Sequence, residues 1–175
     1  MRKIGSVLLP LLLIIGISSV TAPGSEAAGP ETPHSPPAGE SRQLTVYIDR
    51  LHLQANGGDI YVDPIRWYTG KEADDVFAKY EPDAGIDGPP DGYYIVNEDE
   101  RLEHYPVAKD AEVRMQIYDH TGNIADLDIV WNEKVSLQQF GELLRHKEVL
   151  DLTLFPYHLT VENGRITKIV QQYVP

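Results

Sequence analysis

The chain has 175 residues, a net charge of −12 at neutral pH and no cysteine. The lack of cysteine excludes disulfides, thiol catalysis, lipid attachment through an N-terminal cysteine and metal sites built on thiolates. The negative charge opposes binding to nucleic acid, because an acidic surface repels phosphates. We therefore expect no nucleic-acid partner.

Residues 1–27 have the pattern of a secretory signal peptide. Arg2 and Lys3 precede an apolar run over residues 4–20, and small residues follow up to a candidate cleavage site at Ala27. An uncleaved anchor is the alternative, because this run is at the short limit for spanning a bilayer. We expect a secreted or extracytoplasmic protein that is associated with the cell envelope and touches a membrane only through this segment if it is uncleaved.

Residues 28–42 are rich in proline and glycine and contain no aromatic or β-branched apolar residue. Such a composition cannot bury enough surface to fold, so it predicts a disordered, extended tether. Residues 43–175 have the length and apolar content of one domain with a single core. The sequence therefore predicts a signal peptide, a tether and a single β-rich domain.

The first strands of the domain are marked by alternating apolar residues. Leu44 to Leu53 alternate with a one-residue slip at Asp49–Arg50, which predicts a long strand with a bulge. Asn56-Gly57-Gly58 is typical of a hairpin turn, because these residues accept the positive φ of tight turns. The return strand is interrupted at Pro64, which lacks the amide that a central ladder needs.

The middle of the domain combines a helix with irregular passages. Thr69 and Glu72 have the spacing of a capping box, and apolar residues at helical spacing continue to Tyr80. An irregular loop then leads into a short strand over residues 93–96. Residues 97–110 read as a second irregular passage.

The last third predicts further strands and one helix. Two triplets of alternating apolar residues, given at the end of this paragraph, indicate a hairpin. Ser136 then opens a helix that buries Phe140. Strands are expected through residues 150–154 and 157–161, followed by a turn at Asn163-Gly164 and a closing strand. The triplets are Val113, Met115 and Ile117, then Leu127, Ile129 and Trp131.

This order of elements predicts a mainly β (α+β) fold with two short helices. It fits a small curled antiparallel sheet or a barrel of the oligonucleotide/oligosaccharide-binding type, which has five strands and a helix between the third and fourth. An open antiparallel sheet with both helices on one face is the alternative.

Few residues have the setting of catalytic groups. Ser136 is at a helix cap, and the chain has no nucleophile-elbow motif. The six histidines lack the spacing of paired metal ligands, although distant ones can converge in a fold. Two carboxylates at the right separation would suffice for glycoside hydrolysis, but the sequence does not give separations.

The acidic residues are concentrated in one segment. Residues 72–103 hold eleven acids against two cations, a net charge of −9 that attracts cations. Asp83, Asp87 and Asp91 lie in a glycine-rich loop there, and clustered oxygens of this kind suit Ca²⁺. We expect no other cofactor, and a calcium site formed by these three acids is one hypothesis.

Four neighbouring aromatic residues form a candidate ligand surface. Trp67-Tyr68 and Tyr93-Tyr94 lie in predicted strands, so one residue of each pair faces outward. Outward rings beside acids suit sugars, cationic peptides or a protein partner, because each offers area with one polar group. Ordinary packing of sheet tyrosines is the alternative.

Three segments carry a resemblance to a family. These are Val62 to Gly70 with its Trp-Tyr-Thr-Gly, Asp91-Gly-Tyr-Tyr-Ile-Val-Asn97 with residues 102–107, and the ending PYHLTVENGRITKIVQQYVP. Together they resemble uncharacterised exported, often lipoprotein-like, small proteins of Gram-positive bacteria. The resemblance implies export and a shared architecture but no activity. Lipoprotein anchoring does not transfer, because this chain lacks cysteine.

Two functions remain open at the level of sequence. The first is a non-catalytic extracytoplasmic module, binding or structural, whose partner is a protein, a peptide or an envelope component. The second is a small carboxylate-dependent hydrolase acting on cell-envelope glycans.

Overall fold

A computed structural model of the chain describes residues 41–99 and 101–175. The predicted signal peptide and residues 28–40 of the predicted tether lie outside the described residues. In chain order the elements are β1 Ser41–Gln54, β2 Gly57–Pro64, β3 Arg66–Thr69, α1 Gly70–Tyr80, β4 Tyr93–Val96, β5 Glu103–Ile117, β6 Ile129–Val135, α2 Leu137–Leu143, β7 Pro156–Glu162 and β8 Arg165–Gln171. No helix in the described part of the chain has the length and apolar character needed to span a bilayer.

Five strands close a barrel. Strand β1 pairs with β2 and β7, β7 pairs with β8, β8 pairs with β5, and β5 returns to β2. The β5–β8 pair is parallel and the others are antiparallel. Helix α2 lies in the chain between the third and fourth barrel strands, β5 and β7. The predicted mainly β barrel is thus confirmed, and the sheet is closed rather than open.

The predicted bulge in β1 is present and bends this strand. Pairing passes from Ile48↔Val62 to Arg50↔Tyr61, so Asp49 is the extra residue. A bulge increases the local twist, which helps one long strand to serve two neighbours around a small barrel. The slip also sets which side chains of β1 face outward beyond this point.

Helix α2 covers the barrel core and packs closely on β1. Its Phe140 is buried, and the ring lies 5.7 Å from the fully buried ring of Tyr157. A Cβ on Gly141 would lie 2.7 Å from the side chain of Leu53, so a larger residue here would require Leu53 to shift. Ser136 caps the helix as predicted, accepting a hydrogen bond from the amide of Gln139 at 3.1 Å.

A segment inserted between β2 and β5, residues 65–102, carries β3, α1 and β4. Strands β3 and β4 form a separate two-stranded sheet. The segment is tied to the barrel where the amide of Ile65 donates to the carbonyl of Thr45 at 2.9 Å. We call residues 65–102 the insertion.

Three local predictions are wrong. Residues 103–110 belong to the 15-residue strand β5, which tolerates Pro106 because β8 pairs with β5 only from Val107 onward. Residues 152–154 form a 3₁₀ turn rather than a strand. Thr69 precedes α1, but its side chain makes no capping hydrogen bond.

Candidate functional site

The four predicted ligand aromatics lie together on the sheet of β3 and β4. Tyr68 is paired with Tyr94 on one face, while Trp67 and Tyr93 share the other and stack at 4.5 Å with an angle of 12° between rings. All four are half-buried. The predicted alternation along the strands is therefore present, but both faces of the small sheet are covered.

The covering groups come from distant parts of the chain. The ring of Phe77 in α1 meets Tyr94 edge-on at 5.5 Å, and Trp67 meets His158 of β7 edge-on at 6.3 Å. These contacts attach the small sheet to α1 on one side and to the barrel on the other. The geometry gives the four aromatics a packing role, and ligand binding by them stays a prediction.

The predicted calcium residues Asp83, Asp87 and Asp91 are exposed in the loop between α1 and β4. Over residues 41–99 and 101–175, no group of three or more His, Asp or Glu side chains is placed to hold one metal ion. The structure therefore does not bring the three acids into one coordination group. Calcium binding by them stays a prediction.

A different cluster lies on the outer face of β1, β2 and β5. The register places Arg50 opposite Tyr61 and Tyr61 opposite His104. The guanidinium of Arg50 lies 3.9 Å from the centre of the Tyr61 ring, and the ring of His104 lies 4.9 Å from it. The ring of His52 meets Tyr61 edge-on at 5.8 Å. We call these four residues the Tyr61 row.

An acidic side chain fixes one end of the Tyr61 row. The imidazole Nε2 of His104 donates to the carboxylate of Asp59 at 2.9 Å, and Gln54 donates to the same carboxylate. The ring of Tyr61 holds the guanidinium of Arg50, and the carboxylate of Asp59 holds the imidazole of His104. Both groups are therefore fixed in orientation.

Two adjoining depressions lie between the β1–β2 hairpin and α2. One has a volume of about 620 Å³ and the other about 450 Å³, within the range of small-ligand sites. Both are lined by Leu53 and Arg145, so they adjoin at these two residues, and the second reaches Arg50 and His52 of the Tyr61 row. We call the two together the hairpin groove.

The hairpin groove is positive in an otherwise acidic protein. Its charged lining residues are the cations Arg50, Lys109, Arg145 and Lys147 and the acids Asp49 and Glu142. Arg50 is paired with Asp49, and Lys147 lies 3.3 Å from Asp151. The guanidinium of Arg145 has no hydrogen-bond or ion-pair partner among the described residues. Arg145 is thus available to an anionic group at the point where the two depressions meet.

Sequence reasoning missed the Tyr61 row and the hairpin groove. His52 and His104 are far apart in the chain and are joined only through Tyr61, whose partners depend on the register after the β1 bulge. The phase slip at Asp49–Arg50 was the available signal. It predicted that a bulge exists, but not which residue on β2 would face Arg50.

Several ionisable groups are perturbed by their surroundings. Burial, with a hydrogen bond to Glu103, raises the pKa of Tyr105 to about 12. Burial, with a hydrogen bond to Glu133 at 2.8 Å, raises the pKa of Tyr118 to about 12. Burial also raises the pKa of Tyr157 strongly, and its hydroxyl donates to a backbone carbonyl at 2.9 Å. Each of these phenols donates a hydrogen bond, and Tyr105 also accepts one from Arg42 at 2.9 Å.

Three carboxyl groups are shifted towards the ionised form. Hydrogen bonds from Tyr80 and from Arg114 lower the pKa of Glu98 and of Glu112 respectively. Partial burial alone would raise the pKa of Asp151, but hydrogen bonds from Thr153 and Lys147 outweigh it and lower the pKa. A glycosidase general acid needs a shift in the opposite direction.

Comparison with known proteins adds no functional assignment. No family model, curated protein or solved structure matches this chain. Function is therefore inferred from the geometry of the described residues.

Proposed function

We propose that the protein is an extracytoplasmic, non-catalytic binding module whose ligand occupies the hairpin groove. The observation that carries the proposal is the excess of cations in this groove, within a chain of net charge −12. The groove combines apolar walls, including Leu53 and Leu137, with a few charged groups at fixed positions. This combination suits a small set of directed polar contacts within a largely apolar contact area.

The ligand that fits best is an acidic segment of a protein, a peptide or another envelope component. A carboxylate at Arg145 would receive a charge-assisted hydrogen bond, which is stronger and more directional than a neutral one. The apolar walls would take an adjoining apolar side chain. The Tyr61 row extends the same surface and offers further donors from Arg50 and His52.

A non-catalytic role is supported by what the polar side chains already do. Ser136 lines the groove, but its hydroxyl accepts the amide of Gln139 as a helix cap. The lowered pKa values of Glu98, Glu112 and Asp151 suit ion pairing rather than general acid catalysis. The carboxylate-dependent hydrolase of cell-envelope glycans stays an alternative that no observed pair of acids favours.

The extracytoplasmic location rests on the sequence pattern of residues 1–27 and on the resemblance to exported proteins. It is tested by fractionating cells that express the full chain with a C-terminal tag. Recovery of the tagged protein in the envelope or the medium would support export. Recovery in the cytoplasm alone would contradict it.

Binding at the groove is tested with a photo-crosslinking residue at Gln138, which is exposed and lines the groove. The full chain is incubated with envelope fractions at micromolar concentration, and crosslinked species are identified by mass spectrometry. We expect a crosslink at position 138 that is lost in Arg145→Glu.

Two controls make the crosslinking result specific. A crosslinker at Lys79, an exposed residue of α1, should not capture the same species, and Arg101→Glu should leave capture at position 138 unchanged. Equal capture at 79 and 138, or capture that survives Arg145→Glu, would contradict binding in the hairpin groove.

A further inference from the structure

A second surface is centred on Trp131 in β6. Its side chain is 65% exposed, and neighbouring Val130 is 43% exposed. Strand β6 pairs with β5 and has no partner on its other side among the described strands. The alternating pattern of Leu127, Ile129 and Trp131 predicts that Trp131 shares the face of Ile129, so a specific irregularity must account for its exposure.

That irregularity is a bulge in β6. Pairing passes from Met115↔Glu133 to Ile117↔Ile129, so residues 130–132 lie opposite the single residue Gln116. Asn132 has a φ of 59°, in the left-handed region that asparagine enters more readily than most non-glycine residues. The backbone turn at Asn132 displaces Trp131 from the regular pleat.

Two buried amides hold this bulge. Gln116 accepts the backbone amide of Asn132 at 2.8 Å and donates to the carbonyl of Gln171 at 3.0 Å. The side-chain oxygen of Gln171 in turn accepts the backbone amides of Gln116 and Ile117 at 2.8 and 3.0 Å. Gln116 is 6% exposed and Gln171 is 1% exposed, so these bonds are shielded from water.

The hydrogen bonds that hold the bulge leave one buried polar group without a partner among the described residues. The buried Nε2 of Gln171 has no hydrogen-bond partner in the described structure. Unsatisfied buried polar groups are uncommon in native structures, and each calls for a local structural or functional reason. The result of the arrangement is one exposed tryptophan in a fixed place.

The chemistry next to Trp131 is cationic. Arg114 donates to the carbonyl of Asn132 at 3.0 Å and lies opposite Lys134 across the strands. Arg114 and Lys168 both reach the carboxylate of Glu112, at 2.6 and 3.6 Å. Three cations therefore surround one acid.

A second aromatic ring completes the surface. The ring of Tyr173 meets Trp131 at 5.8 Å with an angle of 79°, so the two rings form a corner rather than a stack. With 65% of its side chain exposed, Trp131 still offers indole surface to a ligand beside this contact. We call Trp131, Tyr173, Arg114, Lys134 and Lys168 the Trp131 surface.

We propose that the Trp131 surface binds an acidic glycan, with a sugar ring against Trp131 and a sugar carboxylate towards Arg114, Lys134 and Lys168. The apolar face of a sugar ring matches the indole in size, and the surplus of cations selects a negative charge beside it. Single-stranded nucleic acid is the less suitable ligand. It needs successive stacking rings along a basic groove, whereas this surface presents one indole with one neighbouring tyrosine ring.

The proposal is tested with the full chain and three probes: a short oligogalacturonide, a neutral maltooligosaccharide of equal length and an oligothymidylate. Binding is followed by calorimetry and by tryptophan emission, because Trp131 is exposed and the only other tryptophan, Trp67, is half-buried. We expect the oligogalacturonide to bind at low salt and to change the emission. The maltooligosaccharide should bind more weakly, by about tenfold.

Matched variants locate the site. Trp131→Ala and the double change Lys134→Glu with Lys168→Glu should each weaken oligogalacturonide binding by about tenfold or more. Trp131→Phe should retain most of it. Lys79→Glu, the same charge change on α1, and Arg145→Glu in the hairpin groove should leave it unchanged. Unaltered thermal melts would show that the variants are folded.

Three outcomes would overturn the proposal. These are no oligogalacturonide binding at millimolar concentration, binding that is insensitive to Trp131→Ala, and tighter binding of the oligothymidylate. Failure here would leave the hairpin groove unaffected, because Arg145 lies outside the Trp131 surface.

Discussion

Replacing Gln171 with methionine tests how the β6 bulge is held. Methionine keeps the volume and length of the side chain but lacks the oxygen that accepts the backbone amides of Gln116 and Ile117. Both amides would be left without that acceptor beneath the bulge. Because the volume is nearly unchanged, a packing defect should contribute little to the result.

The expected cost follows from the hydrogen bonds that are lost. Two buried amides without partners cost about 2–6 kcal/mol, at about 1–3 kcal/mol each. The unpartnered Nε2 of Gln171 disappears in the variant, which returns about 1–3 kcal/mol. The net loss in the free energy of unfolding is therefore about 1–3 kcal/mol. For a domain of this size, that lowers Tm by roughly 4–11 °C.

Urea and thermal unfolding, both followed by circular dichroism, measure this loss. The matched control is Gln138→Met, at an exposed position whose side chain makes only a surface contact at 3.3 Å to Glu142. The control should change stability by less than about 0.5 kcal/mol. If Gln171→Met and Gln138→Met changed the free energy of unfolding equally, the hydrogen bonds accepted by the Gln171 side chain would not be what holds the bulge.

Two further predictions concern helix caps and alkaline stability. Ser136→Ala should cost about 1 kcal/mol in urea unfolding, whereas Thr69→Ala, which removes no side-chain cap bond, should cost less than about half of that; equal losses would contradict the assigned caps. The raised pKa values of Tyr105 and Tyr118, about 12 against an ordinary 10.0, mean that the unfolded chain loses these protons first. Their contribution to stability should be complete below about pH 10 and fall between about pH 10 and 12, as measured by urea midpoints; midpoints that stay constant across this range would contradict it.

The barrel could be predicted because its signals are local. Alternation, the slip at Asp49–Arg50 and the glycine turn after β1 each depend on a few neighbouring residues. The interpretation of residues 97–110 as irregular was wrong because Pro106 reads as a strand breaker. A proline breaks a strand only where a neighbouring strand would need the amide hydrogen that it lacks. At Pro106 the strand in question is β8, which comes about sixty residues later in the chain.

The candidate sites were harder to predict because they depend on distant partners. Tyr93 and Tyr94 do point to opposite faces of their strand, but Phe77 and His158 cover those faces. Trp131 is the converse case. Its alternating pattern groups it with Ile129, and Gln171, forty residues further along, helps to hold the bulge that exposes it.

The net charge of the chain is also a poor guide to its ligands. Of the total of −12, residues 72–103 carry −9, and most of these acids lie in the insertion rather than on the barrel. Charges separated by more than about 8–10 Å are screened from each other at physiological salt, so a bound group responds mainly to the side chains beside it. At the hairpin groove those side chains are Arg145 and its neighbours, and at the Trp131 surface they are Arg114, Lys134 and Lys168. An acidic protein can therefore hold acidic ligands at two separate places, while its insertion attracts cations.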